Sequence, residues 1–235
     1  RSSPDVIVLD LEDAVPAAGK VDARTTMREA AAALAGSTVL VRVNPPATEW
    51  FEGDVASLPG GLAGVVVPKY EAPLDVGLPV VAGLETVRGV ADAGSILAGT
   101  VACYFGAEDY VADLGGVRTA GNAEVQVARA LVGMAARLAG IPALDMVTLD
   151  FGDTARFVSE ATEARALGYA GKLCIHPAQV GPANEAFVPS ADEVDRAQRL
   201  LAAFEAGGGA TVAFEGQMVD EVVARQARAL LERQA

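Results

Sequence analysis

Histidine is almost absent from this sequence: His176 is the only one among 235 residues. A single imidazole excludes two-histidine zinc motifs and the facial triad of non-haem iron, and a Ser–His–Asp site would have to use that one residue. No G-x-S-x-G elbow, Walker loop or G-x-G-x-x-G fingerprint is present. Cysteine is nearly as scarce. Cys103 and Cys174 lie far apart in separate apolar runs, which predicts two buried free thiols in a reducing cytoplasm. No apolar run approaches the roughly 18 residues of a membrane span, and no signal-peptide pattern opens the chain. Basic residues are the minority, 18 Lys and Arg against 31 Asp and Glu, for a net charge of −13. With no basic stripe to neutralise phosphates, a nucleic-acid partner is excluded, whereas a small anionic substrate needs only a few local Arg or Lys residues. Any bound metal must rest mostly on carboxylates, which points to a hard cation such as Mg²⁺.

Apolar residues are plentiful, at 51% of the chain, as expected when strands are buried on both faces. They fall into short β-branched runs at Asp5–Asp10, Thr38–Val43, Gly64–Pro68, Pro79–Leu84, Thr100–Phe105, Ala143–Leu149 and Lys172–Ile175. Between them, Val21–Ala35, Glu124–Ala139 and Thr154–Leu167 have helical period, and Val87–Leu97 is a weaker helix interrupted by Gly89 and Gly94. Continuously apolar strands alternating with helices predict a parallel sheet with helices outside. The link from Tyr70 to Pro79 is too short for a full crossover helix.

Seven strands fit either a doubly wound open sheet or a (β/α)8 TIM barrel lacking one strand. The strand ends favour the barrel. Asp10 and Glu12, Arg42 and Asn44, Lys69, Glu85, Glu108 and Asp109, Asp150 and His176 close successive runs, and such residues ring the top of a barrel, where its chemistry sits. An open sheet would gather them at one switch point. The chain starts almost on a strand, so the first βα unit is expected to be missing. The barrel is assigned to residues 1–189. Residues 190–235 form a C-terminal helical arm: a helix over Ala191–Phe204, a flexible Gly207-Gly208-Gly209, an apolar run at Thr211–Phe214, and a last helix from about Met218 with Val219, Val223, Ala227 and Leu230 on one face. Such an arm either packs on its own barrel or lids a site, its own or a neighbour's.

Glu85 and Asp109 follow consecutive strands, so their carboxylates meet on the rim. Converging carboxylates repel unless a cation or proton lies between them, and Mg²⁺ held by one or two carboxylates with waters and substrate oxygens satisfies that geometry. Pairing with Arg88 would satisfy it too. Arg42 ends an apolar strand and either grips a substrate carboxylate or oxyanion or pairs internally with Asp10 or Glu12. Lys69 is placed similarly and reads equally well as structural. Glu12 and Asp13 can accept from metal-bound waters or from Arg42. His176 and Asp150 read as structural.

Seven motifs, VIVLDLEDAV, VLVRVN, GVVVPK, AGLETVRG, YFGAEDY, GKLCIHPAQV and FEGQMVD, occur in the order of the citrate lyase β-subunit-like branch of the HpcH/HpaI aldolase family, which the sequence resembles over almost its whole length. The resemblance implies an α/β barrel, a homo-oligomer (trimer or hexamer), that uses Mg²⁺ to cleave or form 3-hydroxyacyl-CoA thioesters. It implies metal ligands at Glu85 and Asp109, substrate contacts from Arg42 and Glu85, and Asp220 as an acid/base reaching an adjacent subunit's site. It also implies an earlier strand bearing a Pro-Gly/Ala…Arg loop, which this sequence does not contain. The expected reaction is retro-Claisen cleavage of a citramalyl-, malyl-, citryl- or hydroxymethylglutaryl-CoA type thioester to acetyl-CoA and an oxo acid, with Glu12 near the base, Arg42 on the enolate oxygen and Asp220 protonating carbon. Two alternatives stand beside it: a class II aldolase of free hydroxy-keto acids, and a non-catalytic or carrier-dependent citrate lyase subunit.

Overall fold

Parallel pairing in chain order organises the protein, a computed structural model that describes residues 3–232. Strands β1 (Ile7–Asp10), β2 (Val39–Arg42), β3 (Gly64–Val67), β4 (Val80–Leu84), β5 (Ala102–Phe105), β6 (Ala143–Asp145) and β7 (Gly171–Lys172) form one sheet in the order β1 to β7. Consecutive order excludes the doubly wound alternative, in which the strand order reverses. The helices are α1 (Lys20–Ala33), α2 (Phe51–Ser57), α3 (Val87–Ala91), α4 (Ala93–Ile96), α5 (Ala107–Leu114), α6 (Gln126–Ala139), α7 (Thr154–Ala166) and α8 (Val180–Phe187). After them come α9 (Ala191–Ala206), an antiparallel hairpin of β8 (Val212–Phe214) and β9 (Gln217–Val219), and α10 (Glu221–Glu232). None of the described helices is long and apolar enough to cross a membrane.

Side chains alternate across the sheet. Val41, Val65, Ala82, Leu84, Cys103 and Phe105 point to the helices and make the main core with Met27, Val90, Val111 and Val132. Leu40, Val66, Val81, Tyr104, Leu144 and Leu173 gather on the inner face of the half-barrel. No helix crosses from β3 to β4. Tyr70, Leu74, Val76 and Leu78 cover the main core there instead, and the Tyr70 N–H bonds Gly83 O at 2.9 Å.

Several boundaries differ from the sequence reading. The weak helix over residues 87–97 breaks at Asp92 into two short helices. β6 stops at Asp145 and β7 at Lys172; beyond them Met146 O and Thr148 O accept from the Lys172 and Gln179 side chains, and Ile175 N–H donates to Gln179 Oε1. Cys174 consequently lies outside the sheet and is exposed, a correction to the expectation of two buried thiols. Cys103 is buried, which pushes its thiol up to about 12. The last helix starts at Glu221, since Met218 and Val219 belong to β9. The glycines after α9 form a hydrogen-bonded turn, with φ +68° at Gly208 and +76° at Gly209, conformations open to glycine without penalty.

The arm has its own apolar cluster, formed by Ala197, Leu200, Phe204, Val219, Ala224 and Ala227. Ser190 and Glu193 make a reciprocal capping box at the start of α9. Glu215, in the hairpin turn, ties it to α9 through Arg196 at 2.9 Å and Arg199 at 2.7 Å.

A buried ionic network closes the β6–β7 side. Arg129 of α6 bonds both oxygens of Asp145 at 3.0 Å. Lys172 reaches Asp145 at 3.1 Å and Met146 O at 2.6 Å. Glu160 of α7 accepts from Thr148 at 2.5 Å, Arg156 at 2.9 Å and Asn122 at 3.1 Å. Burial alone would raise the Glu160 pKa, but these donors outweigh it and hold the carboxyl at about 2, below its ordinary 4.5. A carboxylate depressed on folding stabilises the protein above its unfolded pKa and loses that stabilisation as pH falls through the folded value. We therefore predict that unfolding free energy declines between pH 4.5 and about 2, by up to ~3 kcal/mol at ~1.4 kcal/mol per pH unit. Glu160→Gln should flatten this part of the profile. Urea unfolding across that range checks it, and an unchanged slope in the variant refutes it.

Candidate active site

Strand register assembles the first cluster. Asp10 and Arg42 are paired positions on β1 and β2, and the guanidinium bonds Asp10 through Nε at 2.8 Å and Nη2 at 2.6 Å. Arg42 Nη1 also lies 2.9 Å from Glu12 Oε2 and 3.3 Å from Asp13. The Glu12 contact lacks hydrogen-bond alignment: Oε2 is buried and accepts no hydrogen bond among the described residues. Burial, which lowers the Arg42 pKa, is opposed by its two hydrogen bonds to Asp10 and by the charge of Asp10 and Glu12, and the carboxylates prevail and raise it. The loop carrying Glu12 is fastened from behind. Lys20 Nζ donates to the carbonyls of Leu11 and Glu12 at 2.8 and 2.6 Å, and Asn44 Nδ2 bonds Leu11 O at 3.0 Å.

Lys69 is the second centre. Its Nζ stands 3.2 Å from Glu12 Oε1, 3.2 Å from Asp109 Oδ1 and 3.6 Å from Glu85 Oε1. Its backbone is left-handed, with φ +48°, which turns the Lys69 N–H onto Glu85 Oε1 at 3.0 Å. Glu85 is 3% exposed and Glu12 5%. Burial raises both: Glu85 is held above the ordinary carboxylate range, and Glu12 is raised to about 7 despite Arg42 and Lys69. Asp109, in the first turn of α5, is more open.

The structure thus brings Arg42, Glu12, Glu85 and Asp109 to one end of the sheet. Arg42 makes the internal ion pair weighed above, and Lys69, not Arg88, meets Glu85 and Asp109. Asp220 is not in the cluster. Its Oδ1 accepts from Val222 and Val223 N–H at 3.0 and 3.1 Å, starting α10. His176, read from the sequence as structural, accepts from Ala178 N–H through Nδ1 and stacks its ring on Phe151. Asp150 likewise bonds the N–H of Gly152 in its own loop.

Tyr104 was not foreseen. It is buried on the inner face and donates to Glu85 Oε2 at 2.8 Å. An aromatic in an apolar strand reads as core, and only its register opposite Gly83 reveals the contact.

Charge balance separates this cluster from the network at β6 and β7. There Asp145, Glu160 and Glu163 face Arg129, Lys172 and Arg156, three acids to three bases. Here Asp10, Glu12, Asp13, Glu85 and Asp109 face Arg42 and Lys69, five acids to two bases. An excess of carboxylates, of which Glu12 and Glu85 are buried, and an orphaned acceptor fit a further cation. The donors are carboxylate oxygens, which suit a hard ion that keeps waters and substrate oxygens; among the described residues no three His, Cys, Asp or Glu side chains group as a metal cage.

The chain is similar to known proteins over nearly its whole length. The HpcH/HpaI aldolase/citrate lyase family model matches residues 1–78 and 76–177. A citrate lyase subunit beta-like protein of Deinococcus radiodurans is 47% identical over 259 residues, covering 100% of this chain and 91% of that one. A (3S)-malyl-CoA thioesterase of Cereibacter sphaeroides is 34% identical, covering 97% and 87%. The crystal structure of CitE from Mycobacterium tuberculosis, in complex with magnesium, acetoacetate and coenzyme A, superposes with a TM-score of 0.87 at 35% identity, covering 97% of this chain and 89% of that one. By sequence and fold together, the chain belongs to the HpcH/HpaI aldolase/citrate lyase family.

Proposed function

We propose that this protein is a magnesium-dependent carbon–carbon lyase that cleaves a carboxylated 3-hydroxyacyl-CoA thioester to acetyl-CoA and an oxo acid. The observation that carries the reading is the acid-rich cluster in which Glu12, Glu85 and Asp109 converge beside Arg42. Glu85 and Asp109 would hold the metal, which when bound supplies Lewis acidity toward the substrate's oxygens. The magnesium and coenzyme A of the related CitE structure support the assignment.

In this reading Glu12 is the base. Its Oε2 is a buried acceptor without a hydrogen bond, suited to take the proton of the C3 hydroxyl. As the C2–C3 bond breaks, C3 becomes the carbonyl of the oxo acid and the bonding electrons pass to the thioester enolate. Arg42 donates to the enolate oxygen. Asp220, from the arm of a neighbouring copy, delivers a proton to C2. Residues 190–235 then act as an arm completed by oligomer formation. The seven strands are read as part of an eight-stranded barrel, its remaining strand lying between β7 and β1.

A second reading is thioester hydrolysis, suggested by the thioesterase relative. Incubation with citramalyl-, malyl-, citryl- and hydroxymethylglutaryl-CoA, with Mg²⁺ or EDTA, separates the two. Lyase activity releases acetyl-CoA, and hydrolysis releases free CoA. We expect Mg²⁺-dependent acetyl-CoA release from at least one thioester; free CoA alone would establish hydrolysis instead. Arg42→Ala should lower kcat by ~10²–10³, the typical loss of an oxyanion partner. Wild-type kcat/KM in that variant would remove the assigned role. Glu85→Gln should weaken Mg²⁺ binding by about tenfold or more, read by calorimetry, and unchanged binding would exclude Glu85 as a ligand.

A further inference from the structure

Both carboxylate oxygens of Glu85 are engaged by the protein. Oε1 accepts the Lys69 N–H at 3.0 Å and lies on the side of Lys69 Nζ, the centre shared with Glu12 and Asp109. Oε2 points the other way and accepts the Tyr104 hydroxyl at 2.8 Å. Space for this contact is made by two glycines. Gly83 pairs with Tyr104 in the β4–β5 register, and a Cβ at residue 83 would stand 2.4 Å from the Tyr104 hydroxyl oxygen. A Cβ at residue 106 would stand 2.5 Å from Glu85 Cβ and 2.6 Å from Oε2. Tyr104 itself is 4% exposed, and a buried phenol with one carboxylate partner has no competing water to release it.

We infer that Tyr104 is a positioning residue that holds Glu85 as a one-oxygen ligand and so biases the site toward Mg²⁺ over Ca²⁺. The inference rests on the reading of Glu85 as a metal ligand. Mg²⁺ requires a tight octahedron, to which a carboxylate contributes one oxygen, whereas Ca²⁺ accepts six to eight ligands and readily takes both oxygens of a carboxylate. With Oε2 committed to Tyr104, Glu85 offers only Oε1. Without the hydroxyl, the carboxylate is free to rotate and present both oxygens.

The test is calorimetric titration of the full chain with MgCl₂ and with CaCl₂, for the wild type, Tyr104→Phe and Glu85→Gln. Thermal melting verifies that each variant folds. Tyr104→Phe keeps the ring and loses only the hydroxyl. It should weaken Mg²⁺ binding about tenfold, the usual scale for an outer partner of a ligand, and leave Ca²⁺ binding equal or tighter. The ratio of the two affinities is the decisive readout, because mere loosening of the fold would weaken both ions alike. Equal weakening of both ions, or no change in either, overturns the inference. Gly83→Ala, which drives Tyr104 from its position, should lower the same ratio, and an unchanged ratio there counts equally against it. Wild-type protein that binds no Mg²⁺, or Glu85→Gln binding Mg²⁺ as well as wild type, defeats the metal reading itself. A Tyr104→Phe failure beside Glu85-dependent Mg²⁺ binding defeats only the role of Tyr104.

Discussion

Burying carboxylates at the end of a parallel sheet is the condition on which the rest of this structure depends. Glu12 and Glu85 are almost fully enclosed, and an enclosed carboxylate without partners is driven toward its neutral form. Much of the local architecture supplies those partners. Lys69 takes a left-handed backbone, at a cost on the order of 1 kcal/mol, and thereby offers Glu85 both its N–H and its ammonium. Tyr104 spends its only hydroxyl on Glu85. Lys20 spends its charge on the carbonyls that carry Glu12. Even so, the acids outnumber the bases.

That imbalance distinguishes this cluster from the other buried ionic network of the molecule. The network around Asp145 and Glu160 is as buried and as polar, but every acid there has a base and every major donor a target. Removing one member would leave an uncompensated charge, typically a loss of ~3–5 kcal/mol, so the network reads as a fastener between α6, α7 and the last two strands. The cluster at Glu12 and Glu85 is left acid-rich, as a site that completes its charge balance with a ligand would be.

The arm illustrates a different dependence. Its helices and hairpin share an apolar cluster of their own, and Arg165 of α7 reaches Glu193 of α9 at 3.1 Å. Asp220 serves α10 as a capping residue, an acidic group placed where the helix start favours negative charge. The same placement leaves it on the arm, apart from Arg42 and Lys69.

Much of the fold was legible in the sequence because its causes are local. Runs such as Val39–Arg42 and Gly64–Val67 are β-branched and continuously apolar, and α6 and α7 follow amphipathic period, so their place and parallel arrangement could be read from spacing alone. Short helices escaped notice: α2 contains Gly53, α8 contains Pro182, and α5 begins directly after a strand without a clear apolar period. The residues closing the strands were readable as a set, and the motif resemblance singled out Arg42, Glu85 and Asp109. What each of them touches was not. That Arg42, for which an internal pair was one of two readings, gives two hydrogen bonds to Asp10, that Lys69 rather than Arg88 stands among three carboxylates, and that Tyr104 reaches Glu85 all follow from register and twist between strands distant in sequence. By itself, the sequence determined the strand–helix alternation and the acidic rim, because these are written in composition and spacing, and its seven motifs carried the resemblance to the family. Only the tertiary structure decided the pairing of charges, because a carboxylate's partner is set by which strands lie side by side and by the room that glycines such as Gly83 and Gly106 leave between them.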